Sequence, residues 1–289
     1  MVRIALDPTP YNGTVRLLDF PELVARLGYE HFQLTPSPDF GRHFHYPKVD
    51  SSMIAALRKR SADAGVSITS VLPVQRFSWP EEPQREAGVR NMKRYIEIAA
   101  ELGAPVVNTE FSGRPEREED SEAGFYKSME ELLPVLEREG VTLNIDPHPD
   151  DFVEDGLEAW RIIRGLNTDR VGFVYVAAHT FHYGDRATTL LPEIGDRLGA
   201  VYTADTFDHT RSNGLRFITN PPGNAVRVHQ HLRIGDGDVD WSELFSTLKE
   251  TGYLDREDAL IVSNVFAEDE RADEVSRFQL ARLRELVSG

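Results

Sequence analysis

The 289-residue chain contains no cysteine, so disulfides and thiolate metal ligands are both excluded, and a transition metal would be held by nitrogen and oxygen alone. It lacks any run of about 18 apolar residues, so no transmembrane helix is expected. Basic charge is scarce: 32 Lys and Arg stand against 48 Asp and Glu, a net charge of -16 that disfavours nucleic acid and anionic membranes as partners. The first apolar run, Val2-Arg3-Ile4-Ala5-Leu6, stops at Asp7-Pro8, too early for a signal peptide, and a cytoplasmic location is expected. No repeat, low-complexity tract or linker divides the chain, and no glycine-rich phosphate turn follows that run.

What the chain does contain is alternation. Short β-branched or apolar runs occur at Val2–Leu6, His31–Leu34, Val66–Leu72, Pro105–Asn108, Val141–Ile145, Val171–Val176, Ala200–Ala204 and Ala259–Val262, separated by longer segments with helical spacing. Gly28, Gly65, Gly103, Gly140 and Gly199 precede strands, where a left-handed residue ends a helix without Cβ strain. Eight β-then-α units in under 300 residues predict an α/β fold, a (β/α)8 TIM barrel forming one domain over residues 1–289, ahead of an open doubly wound sheet. The irregular stretch 206–230, with Asn220-Pro221-Pro222-Gly223-Asn224, is expected as a long loop over the barrel mouth, a plain surface insertion being the other reading.

In such a barrel the C-terminal strand ends meet at one mouth. There the sequence places Asp7, Glu110, Asp146, His148, His179, His182 and Asp205, and the His229-Gln230-His231 pair follows the long loop. His229 and His231 lie two apart, on one face of an extended segment. Glu110 and Asp146 each close an apolar run, where a carboxylate needs a cation or an arginine such as Arg114 or Arg227. The mixed His and carboxylate set predicts a divalent metal, manganese first, with magnesium, zinc or cobalt as alternatives. The expected ligands are Glu110, Asp146, His179 and one of His229 or His231, with His231 preferred. His148, held between Pro147 and Pro149, is the candidate general base; in the other reading it is itself a ligand and Asp146 lies behind it. Asp7, Arg114, His182, Asp205 and His229 are assigned to substrate binding, and His182, Asp205 and His209 are candidates for proton donation to a leaving group.

These residues carry a family resemblance over essentially the whole chain. The segment Leu232-Arg233-Ile234-Gly235-Asp236-Gly237-Asp238-Val239-Asp240-Trp241, with the blocks Asn108–Pro115, Asp146–Phe152 and His229–Leu232, resembles the sugar phosphate isomerase/epimerase superfamily, the xylose isomerase-like barrels. Within it the blocks are similar to two subfamilies, the isomerase-like proteins of inositol catabolism and the large subunit of C-glycoside deglycosidases. The resemblance implies metal-assisted proton abstraction next to a carbonyl. It also implies a small sugar or glycoside substrate, an oligomer and, for the deglycosidases, a small β-rich partner subunit. The ketose-epimerase metal quartet of Glu, Asp, His and Glu is broken: Val176 stands where an Asp is expected, Tyr202 near the expected His, and Val262-Ser263-Asn264 offers no Glu. The first-ranked expectation is therefore a lyase that deglycosylates 3-oxo-C-glycosides by β-elimination, with sugar or keto-inositol isomerisation as the alternative and a non-catalytic sugar-binding barrel third. Aromatics after strand ends (Phe40, Phe44, Tyr46, Phe77, Trp79, Phe111, Phe181, Tyr183) fit either an aglycone rim or mouth packing.

Overall fold

Eight parallel strands close into a barrel in sequence order: β1 Arg3–Leu6, β2 His31–Leu34, β3 Ser67–Val71, β4 Val106–Glu110, β5 Thr142–Asp146, β6 Val171–Val176, β7 Leu198–Tyr202 and β8 Leu260–Ser263. Helices α1 Phe20–Leu27, α2 Ser51–Ala64, α3 Glu82–Leu102, α4 Glu118–Glu139, α5 Gly156–Gly165, α6 Ala187–Ile194, α7 Trp241–Glu250 and α8 Ala272–Ser288 form the outer ring. This computed structural model describes residues 2–211, 229–266 and 269–289, so most of the expected 206–230 mouth loop, Arg227 included, lies outside the described residues. Among the described residues no helix is long and apolar enough to cross a membrane.

Parallel strands are covered on both faces, which is why they read as near-continuous apolar runs. The large outer core packs the helices onto the barrel through Phe32, Leu34, Val107, Leu143, Ile145, Phe173 and Val201. A second, smaller cluster is separate from it and includes Ala5, Val174, Val176, Ala200 and Val262. Beside these small side chains runs a buried polar chain: Gln33 Nε2 donates to Asp7 Oδ2 (2.9 Å), the Tyr202 hydroxyl to Gln33 Oε1 (2.6 Å), Asn108 Nδ2 to the Tyr202 phenol oxygen (3.0 Å) and Asn144 Nδ2 to Asn108 Oδ1 (3.0 Å). Such a chain is tolerated at depth because its links satisfy one another, Asn144 Oδ1 at its end being the atom left without a partner.

One strand was displaced by two residues. The expected run Ala200–Ala204 is β7 at Leu198–Tyr202, because Gly199 does not end a helix but lies within the strand. Helix α6 stops at Ile194, and Gly195 (φ 56°) makes the turn. Gly199 is instead a close approach: a Cβ there would meet Asn144 at 2.3 Å, and one on Gly172 would meet the same side chain at 2.5 Å. The other four glycines do end helices, with φ between 67° and 89°.

Candidate metal centre

Each strand end delivers its side chain through a local device. After β6 the chain enters one wide π turn, Ala177–Phe181, a form common at functional sites, which carries His179 into the mouth. After β4 and β5, Asp151 ties two loops together: its carboxylate accepts from the N–H groups of Ser112 (2.5 Å), Gly113 (2.6 Å) and Phe152 (2.7 Å), fixing Glu110 against His148. Burial and the neighbouring Glu110 push the Asp151 carboxyl up to about 7. After β8, Asn264 supports His231, and Phe266 stacks on the His231 ring at 3.9 Å, 11° from parallel.

These devices gather His148, His179 and His229, each offering a nitrogen within 4.8 Å of the others. His231 joins them, with its Nε2 3.3 Å from that of His179, and Glu110 Oε2 lies 3.3 Å from His148 Nε2. All five line a cavity of about 320 Å³, together with Asp7, Asp146, Tyr202, Phe44 and Phe266.

The far nitrogens fix the proton positions. The Nδ1–H of His148 donates to the Pro149 carbonyl (2.7 Å) and that of His179 to Asp146 Oδ2 (2.7 Å), while His231 Nδ1 lies 2.9 Å from both the carbonyl and the Nδ2 of Asn264. With Nδ1 protonated, the Nε2 atoms of His148 and His179 carry lone pairs, that of His148 3.3 Å from Glu110 Oε2 and that of His179 3.3 Å from His231 Nε2. Burial, reinforced by the neighbouring imidazoles, holds His179 and His229 well below the usual histidine range. Burial above all lowers His231 to about 3. Neutral lone pairs 3.3 Å apart repel unless a cation lies between them. Nitrogens roughly 2.1 Å from one divalent ion stand roughly 3.0–3.4 Å from one another, a spacing that the His179–His231 pair matches at 3.3 Å, with the nitrogens of His148, His179 and His229 within 4.8 Å of one another.

Several sequence-predicted residues lie elsewhere. Asp146 was expected to ligate directly; its Oδ2 holds the back of His179, the usual place of a carboxylate that orients a metal-bound imidazole. Burial, Glu110 and Asp151 raise its carboxyl well above the ordinary range. Asp205, expected at the substrate, is fully buried and saturated. Its oxygens accept from the N–H of Thr206 (2.9 Å), Gly235 (2.7 Å) and Val239 (3.2 Å) and from Trp241 Nε1 (2.9 Å), and so they fold the Gly235–Trp241 segment. Arg114 lies outside the cavity, paired with Glu81 and Glu116 beside the Trp79 ring, and does not meet Glu110 or Asp146. His182 is buried behind the site, its Nδ1 bonded to the Phe207 carbonyl and its ring centroid 6.3 Å from that of His229, while His209 donates from Nδ1 to the His182 carbonyl. Of the aromatics, Phe40, Phe77 and Phe111 are core, whereas Phe44 and Trp79 line a second cavity of about 320 Å³ that shares Glu110, His148 and His229 with the first.

Sequence reasoning missed Asp151, Gln33 and Phe266. Asp151 carried a signal, since it lies within the Asp146–Phe152 block; nothing in the sequence marks Phe266.

Residues 21–286 match the family model described as the xylose isomerase-like TIM barrel. The chain belongs to that family. Among curated proteins it is 26% identical to an inosose isomerase of Bacillus licheniformis over 139 residues, 47% of this chain and 46% of that protein. It is 24% identical over 177 residues, 59% of this chain, to an uncharacterized protein of Sinorhizobium fredii, covering 51% of it, so the chain spans about half the length of the curated relatives it matches. Among solved structures it resembles the IolI protein with a bound zinc atom (TM-score 0.77, 17% identity, 99% of this chain and 98% of that one). It also resembles the 3-keto-D-glucoside 4-epimerase YcjR of E. coli (TM-score 0.72, 17% identity, 99% and 100%). At that identity the likeness is one of fold.

Proposed function

We propose that this barrel is a metal-dependent isomerase or epimerase of a keto sugar or keto-inositol. The observation that carries the reading is the convergence of imidazoles His148, His179, His229 and His231 with the carboxylate of Glu110 on one cavity of about 320 Å³, a volume suited to one sugar ring. The matched inosose isomerase puts this reading ahead of the deglycosidase expected first from sequence.

His148, His179 and His229 would hold the ion, with His231 in reach and Asp146 orienting His179. A bound divalent ion supplies polarisation of the substrate carbonyl and its neighbouring hydroxyl, which acidifies the intervening C–H. His148, expected as the base, spends Nδ1–H on Pro149 and turns its lone pair toward the other imidazoles, which suits a ligand better. Glu110 takes the base's place: its carboxylate is partly open, lines both cavities and is positioned to take the substrate proton at Oε2. Phe44 and Phe266 would keep water from the carbanion.

Contiguity of the two cavities supports a second reading, elimination from a 3-oxo-glycoside whose second group rests against Phe44 and Trp79. The metal-loaded protein in D2O, supplied with keto-inositols and 3-keto-glycosides, separates the two. Deuterium entering next to the carbonyl with interconversion of isomers supports isomerisation; release of the second group supports elimination; no exchange with any keto substrate refutes both. Glu110→Gln is expected to keep its metal by elemental analysis and lose exchange by a factor of about 10²–10⁴. Loss of the metal instead would make Glu110 a ligand and remove it as the base.

A further inference from the structure

Epimerisation needs proton traffic on both faces of the carbon, and the cavity has a second acidic group on the opposite wall. In a closed ring of eight strands, β1 lies opposite β5 and three strands from β4, so Asp7 at the end of β1 faces the Glu110 and His148 side across the mouth. Its side chain is held from behind: Oδ1 accepts the Thr9 N–H (2.8 Å) and Oδ2 accepts Gln33 Nε2 (2.9 Å), with Gln33 fixed in turn by Tyr202 OH (2.6 Å). A register shift in β2 at Phe32/Gln33 aims Gln33 at this point. Each Asp7 oxygen therefore carries one donor and keeps a further position. Among the described residues no cationic side chain bonds to it, and burial raises its carboxyl above the ordinary range, favouring the acid form.

From this geometry we infer that Asp7 is a catalytic acid, delivering a proton to the substrate carbon on the face opposite Glu110. The inference rests on the isomerase reading and adds the second proton-active group. In the forward step the C–H bond breaks, its electron pair enters the enediolate and Glu110 receives the proton. The Asp7 O–H bond then breaks, leaving its pair on the carboxylate, while the enediolate carbon takes the proton and the inverted C–H forms. Water returns a proton to Asp7 and removes one from Glu110, so nothing is oxidised or reduced.

The metal-loaded wild type gives the first test. With substrate deuterated at the reacting carbon in H2O, epimerised product is expected to carry solvent hydrogen, because the abstracted deuteron stays on the opposite wall; product that retains the substrate's deuterium indicates a single base and overturns the inference. Asp7→Asn is then expected to keep hydrogen exchange at that carbon within about 3-fold while epimer formation falls at least 100-fold. An equal fall in both, with KM raised, would make Asp7 only a substrate-binding group; no fall in either would remove it from the reaction. Should Asp7→Asn fail to fold, Asp7→Ser carries the same two readouts. Failure of the function proposed above looks different, since wild type then shows no exchange at all.

Discussion

Asp205 and Asp146 occupy equivalent places in the sequence, an aspartate at or just past the end of an apolar strand, and the structure gives them different work. The sharpest check of that difference is Asp205→Asn. In the wild type Oδ1 accepts from Thr206 and Val239, and Oδ2 from Gly235 and Trp241. An amide retains one acceptor and sets an NH2 against the other pair of donors, so two buried N–H groups lose their partner whichever way it turns. Each orphaned donor costs about 1–3 kcal/mol, and the effects overlap, giving a loss of about 3 kcal/mol for Asn. Alanine leaves all four donors unmet, for a loss of about 4–5 kcal/mol. At roughly 2–4 °C per kcal/mol for a chain of this size or a little smaller, the asparagine variant is expected to melt roughly 6–12 °C lower. The assay is thermal melting followed by circular dichroism, with metal content measured on the folded variant at low temperature. Melting unchanged within 2 °C (an order-of-magnitude limit from the same scaling), together with loss of turnover, would refute the assignment and return Asp205 to the substrate.

Two further outcomes follow from single contacts. Asp185 accepts the Gly156 N–H (2.7 Å), and burial, with Asp155 adding, raises it to about 6. A carboxyl raised above its unfolded value contributes stability that is complete below about pH 4 and lost as pH rises through about 6, an effect of at most about 3 kcal/mol. Asp185→Asn is therefore expected to flatten urea midpoints between those pH values and to stabilise the protein at pH 7; a pH profile parallel to wild type would count against the shift. Gly199→Ala sets a methyl 2.3 Å from the buried Asn144 side chain and is expected to cost about 2–3 kcal/mol by denaturant titration, with wild-type stability as the refuting result.

The barrel was legible because strands buried on both faces leave apolar runs, and seven of eight fell in place. β7 slipped because Gly199 looks like its helix-ending counterparts, although it serves the bulk of Asn144, some 55 residues earlier (roughly, by the numbering). The histidines were legible too, since strand ends converge. Their division of labour was not. Whether an imidazole ligates or abstracts a proton depends on which nitrogen meets an acceptor, and the acceptors here are the Pro149 and Asn264 carbonyls, which any residue at those positions would supply. The contact of Asp146 with His179 was hidden for a related reason: an aspartate's reach decides whether it meets an ion or the imidazole in front of it.

The departures from the ketose-epimerase pattern acquire a common physical sense in this geometry. Asn264 follows β8 where a glutamate was expected, and its carbonyl lies 2.9 Å from the Nδ1 of His231, so that strand end contributes through an imidazole on the neighbouring segment rather than through a carboxylate. Tyr202, near the expected histidine on β7, cannot ligate with its phenol bonded to Gln33, but it completes the chain that holds Asp7. Exchanging carboxylates for imidazoles would lower the negative charge around a bound ion. A less neutralised ion would draw more strongly on the substrate oxygens, consistent with the proposal that Glu110 and Asp7 handle protons from opposite walls.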